Sequence, residues 1–265
     1  HGSGQMCCPG KSVKMEMSVD ALGQNKICGA AEQRISSHSC SHIKKDADAA
    51  GSSNNAGERP SVGICGGTFD PIHYGHLILA EDARDAFGLS RVIFMPSGHS
   101  YFKDNREEKV SSPQDRLMMT RLAVGNNPGF DVSDMEIRRE GYTYTCETME
   151  QLSAENPGTD FWFICGADSI SMMKTWYCPE RLFAACGVIA AFRSDETDDH
   201  AFRSAADELR KLYGARIRIL PARRIEISST EIRTKIREGK SIRYLVPDAV
   251  ADYIEKNGLY REKNG

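Results

Sequence analysis

The run DFWFICG, Asp160–Gly166, constrains the fold more than any other stretch of the chain. Its residues from Phe161 to Cys165 are all apolar, so neither face of such a strand tolerates water. A strand of this kind belongs inside a parallel sheet with helices over both faces. Five further short runs read as strands: VGICGG at 62–67, RVIFMP at 91–96, FDVSD at 130–134, CGVIAAF at 186–192 and RIRIL at 216–220. Between them lie helical signals. Leu77, Ile78, Ala80, Ala83 and Phe87 recur at helical spacing over Tyr74–Phe87, and Gly88 is a stop. Ser112, Pro113 and Asp115 form an N-cap, a first position and a first-turn acid. YTCETMEQLSAEN predicts a helix entered through Thr145, and AADELRKLYG a helix over 205–214. Two more are expected at Thr230–Glu238 and Pro247–Lys256. This alternation predicts an α/β, Rossmann-like open parallel sheet with helices on both faces.

The sheet domain is expected over residues 61–261, with a short tail at 262–265. Residues 1–60 differ: they are rich in Ser, Ala, Gly, Asn and Lys and hold no Phe, Tyr or Trp. They read as a disordered or weakly structured extension, opening on a vector-like HGSGQ and closing on the linker DADAAGSSNNAGERP. Weak helical turns are expected at Val19–Leu22 and Ala30–Arg34. Cys28, His38, Cys40 and His42 could ligate zinc, but their spacing matches no common finger, so no metal site is expected.

A net charge of -3 argues against a general nucleic-acid or anionic-membrane binder, and no apolar run is long enough for a membrane span. No secretory leader pattern is present. The nine cysteines are scattered without a CxxC, and Cys65, Cys165 and Cys186 lie in apolar runs, which suits buried free thiols in a reducing cytoplasm. A homo-oligomer is compatible with all of this.

Function concentrates in GICGGTFDPIHYGHL, Gly63–Leu77. It follows the first strand and leads into the first helix, where ligands of an open α/β sheet bind. Glycines let an anion approach the backbone, and helix-start N–H groups attract it. His73 and His76, three apart, would project together toward that anion. The stretch matches neither GxGxxG nor GxxxxGK[ST], which weakens a hydride-transfer or P-loop reading. Far downstream, ISSTEIR at Ile227–Arg233 opens a helix through the Ser228/Glu231 spacing of a capping box. Its N–H groups, its hydroxyls and Arg233 make a phosphate clamp.

GGTFDPIHYGH resembles the T/HxGH signature of the nucleotidyltransferase α/β-phosphodiesterase superfamily, and ISSTEIR resembles its ISSTxxR partner. WFICGADS, GYTYTCETMEQL and TWYCPERL resemble bacterial nicotinate-mononucleotide adenylyltransferases, over about Val62–Tyr260. Where many relatives carry PPHK, this chain has PSGHSYFKD, so Tyr101 and Phe102 replace the proline–histidine pair while Lys103 is retained.

The resemblance implies adenylyl transfer from ATP to nicotinate mononucleotide (NaMN), giving deamido-NAD and pyrophosphate, with Mg²⁺ held by the phosphates. It implies His73, His76, Lys103 and Arg233 as catalytic groups. Gly66, Gly67, Thr68, Phe69, Ile227, Ser228, Ser229 and Thr230 would join His73, His76 and Arg233 around ATP. Asp70, Thr145, Gly166, Asp168, Trp176 and Tyr177 would meet the acceptor, Asp168 on ribose hydroxyls and Thr145 beside the nicotinate. Asp70 is equally readable as a structural turn residue. One of Trp176 and Tyr177 is expected in the core and the other on the pyridine ring. Two other functions remain open: transfer to nicotinamide mononucleotide or phosphopantetheine, and nucleotide sensing without turnover.

Overall fold

Alternate residues of β4 (Asp160–Gly166) enter two different cores. Phe161, Phe163 and Cys165 join one buried cluster, while Trp162 and Ile164 join another. The period of two puts these clusters on opposite faces of the sheet.

The computed structural model describes residues 59–99, 110–125, 127–192, 199–222 and 225–261, all within one unit, Gly57–Gly265. Readings made on residues 1–58, on Tyr101–Lys103 and on the tail 262–265 lie outside the described residues. Those within it run β1 (Ser61–Gly67), α1 (Tyr74–Phe87), β2 (Arg91–Pro96), α2 (Pro113–Val124), β3 (Phe130–Val132), α3 (Met135–Arg138) and α4 (Thr145–Glu155). After β4 come α5 (Ala167–Met172), a 3₁₀ turn (Met173–Thr175), α6 (Pro179–Ala185), β5 (Gly187–Phe192), α7 (Asp199–Tyr213), β6 (Ile217–Pro221), α8 (Ser229–Arg237) and α9 (Asp248–Lys256).

The sheet is parallel throughout, in the order β3-β2-β1-β4-β5-β6. Register is set at the centre, where Ile64 of β1 pairs with Ile93 on one side and Phe163 on the other. Ala80, Ala83, Met119, Ile232, Val250 and Ile254 bring α1, α2, α8 and α9 onto one face. Met149, Ile170, Leu182, Phe202 and Leu209 bring α4 to α7 onto the other. The expected α/β sheet with two covered faces is therefore present.

Cys65, Cys146, Cys165 and Cys186 are buried and Cys178 half-buried, all as free thiols. Burial pushes the Cys65 and Cys186 thiols up to about 12, so they pack as small apolar groups and not as nucleophiles.

Three short helices, α3, α5 and α6, carry too few turns to show a period, and the sequence pattern does not reveal them. The expected strand FDVSD is also shortened, to Phe130–Val132. Ser133 and Asp134 start α3 instead: Met135 N–H donates to Ser133 Oγ at 3.3 Å and Arg138 N–H to the Asp134 carbonyl at 3.0 Å.

Candidate active site

Strand order reverses between β1 and β4, and ligands of doubly wound sheets bind at such a switch point. A cavity of about 760 Å³ opens there. Gly166 and Ala191, near the carboxyl ends of β4 and β5, and Ala222, just past β6, line it. His73 at the N-cap of α1, His76 in its first turn, Asp168 from α5 and Ile227–Ser229 at the start of α8 also line it.

The loop Thr68–Ile72 sets the histidines. Phe69 is buried in a left-handed conformation, φ 52°, and its ring lies over Gly67. A Cβ at Gly67 would stand 2.8 Å from that ring, so only glycine lets the loop fold back. The Phe69 ring also meets His76 edge-on, with centroids 5.0 Å apart. His73 is the N-cap of α1, and its imidazole stacks on His76 with centroids 3.8 Å apart. The same crowding fixes Gly75, where a Cβ would come within 3.0 Å of the His73 ring.

Both imidazoles are neutral at physiological pH. Burial lowers His73 to about 4, and burial reinforced by the His73 charge holds His76 well below its ordinary value. His76 Nδ1 accepts the His73 backbone N–H at 3.3 Å. The neutral tautomer then carries its proton on Nε2, a donor for a ligand in the cavity. His73 Nδ1 is buried with no hydrogen-bond partner among the described residues. An unpaired buried polar atom costs about 1–3 kcal/mol, which a bound ligand or its water would relieve.

Opposite stands the start of α8. Ser228 is its N-cap and accepts the Glu231 N–H at 3.1 Å, the hydroxyl half of the expected capping box. Ser229 Oγ instead donates to the Pro71 carbonyl at 2.8 Å, tying α8 to the histidine loop. Arg233 is buried, donating from Nη1 to the Asp70 carbonyl at 2.7 Å and from Nη2 to Thr230 Oγ1 at 3.2 Å. Its charge therefore sits behind the loop. Asp70 is turned inward as well: its carboxylate accepts the Tyr260 hydroxyl at 2.7 Å and the Ser111 N–H at 3.3 Å.

Thr145, Trp176 and Tyr177 are not among the described residues of the cavity wall. Thr145 is the first residue of α4. Trp176 packs edge-on against Phe163 and belongs to the core margin, whereas Tyr177 is 48% exposed and lies over Tyr144, ring centroids 4.3 Å apart. Of the two aromatics, Tyr177 is therefore the more exposed ring.

Sequence reasoning missed part of the wall. Asp82, Ser171, Phe192 and Phe202 also face the cavity, and Arg116 donates from Nη1 to the Thr68 carbonyl at 2.8 Å. None lies in a motif. Helical spacing does put Asp82 two turns beyond Gly75 on α1, the one signal that could have found it.

The sequence profile of the cytidylyltransferase-like family matches residues 64–235, from β1 into α8, and so takes in both the paired histidines and the capped helix start. A "probable nicotinate-nucleotide adenylyltransferase" of Lachnoclostridium phytofermentans is 42% identical over 199 residues, covering 75% of this chain and 98% of that one. One of the same name from Desulfitobacterium hafniense strain Y51 is 43% identical over 203 residues, covering 76% and 95%. The chain belongs to the family of these nicotinate-nucleotide adenylyltransferases. Among solved structures, Plasmodium falciparum nicotinic acid mononucleotide adenylyltransferase complexed with NaAD is similar in fold, with a TM-score of 0.62 and 19% identity over 76% of this chain and 97% of that one.

Proposed function

We propose that the protein transfers the adenylyl group of ATP to nicotinate mononucleotide, releasing pyrophosphate, as a step in NAD biosynthesis. The observation that carries this is the meeting of His73, His76, Ser228 and Ser229 on one cavity at the switch point, in a chain 42% identical to relatives so named.

The acceptor phosphate attacks the α-phosphorus, a P–O bond forms, and the bond to the leaving pyrophosphate breaks. Such a transfer needs no protein nucleophile, so catalysis rests on positioning and on neutralising negative charge as it grows. His76 would donate from Nε2 to an α-phosphate oxygen, and His73 would support the phosphates beside it. Backbone N–H groups of Gly66–Phe69 and the start of α8, Ile227–Thr230, would hold the triphosphate. Arg233 would act on it from behind the loop, and Lys103 would add charge from outside the described residues. Among the described residues no three His, Cys, Asp or Glu side chains converge to hold a metal. Phosphate and water oxygens would therefore ligate Mg²⁺, which offsets triphosphate charge when bound.

For the acceptor, Asp168 would take ribose hydroxyls beside Gly166. Asp70 would act through the loop it stabilises. The first turn of α4 at Thr145 would offer N–H groups to the nicotinate carboxylate, and Tyr177 would cover the pyridine ring next to Trp176. No described helix is long and apolar enough to cross a membrane, and a cytoplasmic small-molecule enzyme without a nucleic-acid partner fits the chemistry.

The test is coupled pyrophosphate release. ATP with NaMN is expected to release pyrophosphate steadily, and ATP alone is not. Binding of ATP without release in the presence of NaMN would instead favour a sensing module.

A further inference from the structure

The loop that presents the histidines is held by residues from three distant segments. Its Thr68, Asp70 and Pro71 carbonyls accept from Arg116, Arg233 and Ser229 at 2.8, 2.7 and 2.8 Å. The Asp70 side chain, 5% exposed, remains to be satisfied within this clamp. Tyr260, 190 positions later, donates its hydroxyl to Asp70 Oδ1 at 2.7 Å, and Ser111 N–H reaches Oδ2 at 3.3 Å.

We propose that Tyr260 is a positioning residue: through Asp70, its hydroxyl fixes the loop that carries His73 and His76. This inference rests on the proposed transfer for its kinetic consequence, though not for its geometry. Two backbone features support it. Tyr260 adopts φ 63° and Phe69 φ 52°, left-handed conformations that cost a non-glycine residue about 1–2 kcal/mol. Bulky residues persist there only where their surroundings over-determine them; Tyr260 stands at one end of the hydrogen bond to Asp70, and Phe69 immediately precedes Asp70 at the other. The Tyr260 hydroxyl also lies 3.9 Å from Met119 Sδ, so its ring is seated among the α2 side chains of the core. Burial, and the adjacent Asp70 carboxylate, raise its pKa and keep it a donor.

The same C-terminal segment supplies an internal control. Tyr253 on α9 donates to Asp115 Oδ1 at 2.9 Å, a bond that joins α9 to α2 without touching the loop. The experiment compares Tyr260→Phe and Tyr253→Phe in the full chain, reading melting temperature, pyrophosphate-release kinetics and the ring resonances of His73 and His76. Both variants are expected to lose a few degrees of stability. Tyr260→Phe alone should lower kcat about tenfold, with smaller changes in KM, and shift both histidine ring resonances, because loss of alignment acts mainly on the transition state. In an Asp70→Ala background the Tyr260→Phe change should cost nothing further, since the two act as one unit. A Tyr260→Phe kcat within twofold of the parent, an equal fall in Tyr253→Phe, or full additivity with Asp70→Ala would overturn the proposal. If the parent protein releases no pyrophosphate, the transfer reading fails. The histidine resonances then decide the positioning role alone: unmoved in Tyr260→Phe, they refute it.

Discussion

His73 and His76 stack so closely that two positive charges cannot share the space without partners, and burial keeps both neutral. Neutrality has a measurable cost in acid. The native His73 pKa, about 4, lies below the ordinary 6.5, so the unfolded chain takes up the proton first. Its contribution to stability is complete above about pH 6.5 and is lost as pH falls toward 4. His76 adds to the loss in the same direction. Urea melts at pH 7 and pH 4.5 should show His73→Asn losing roughly 2 kcal/mol less than the parent, at 1.36 kcal/mol per pKa unit; equal losses would mean that His73 is not buried neutral. In the proposed transfer the weight would fall on His76. His76→Ala should keep its circular dichroism spectrum and lose at least ~100-fold in turnover, the scale of removing one transition-state donor. A near-normal rate would remove His76 from the chemistry.

At the scale of elements, helix α8 does two jobs, and Arg233 separates them. Its N-cap face meets the cavity, while its Arg233 side chain runs back to the Asp70 carbonyl. Arg233→Ala should lower the melting temperature, because a buried carbonyl loses its partner at about 1–3 kcal/mol. It should also raise the KM for ATP more than the KM for NaMN; equal rises would assign Arg233 to structure only. The α8 start was legible in the sequence because a cap and an N3 acid leave a local signature, and α1 was legible from its apolar spacing and the Gly88 stop. What escaped the sequence is what has no local signature. Helices α3, α5 and α6 are short, with 4, 6 and 7 residues. Arg116 and Tyr260 look like ordinary surface polar residues until the fold brings them to one loop. The inward turn of Asp70 and the burial of Arg233 likewise depend on contacts more than 150 residues apart in the chain.

For the whole molecule, the β4 run required two covered faces and the alternation of strands and helices a parallel sheet, while the strand order β3-β2-β1-β4-β5-β6 emerges only in the structure. The family profile matches residues 64–235, and the relatives are spanned to 95–98% of their length by about three quarters of this chain. Removing residues 1–56 is therefore expected to leave specific activity and melting temperature nearly unchanged, and loss of folding or a large fall in rate would show that the segment is part of the domain.

The central claim, adenylyl transfer to an acid acceptor, is tested most directly by competition. Equimolar NaMN and its amide analogue, nicotinamide mononucleotide, would be offered with limiting ATP, and the dinucleotide products separated by mass. In the proposed site, N–H donors at the start of α4 would satisfy a carboxylate, whereas an amide would turn its NH₂ toward one of them. A hydrogen bond to a charged group is worth about 1.5–3 kcal/mol and an orphaned donor costs about 1–3 kcal/mol. Together these predict a deamido product in roughly 100-fold excess or more. Products within fivefold of each other, or no dinucleotide at all, would contradict the account.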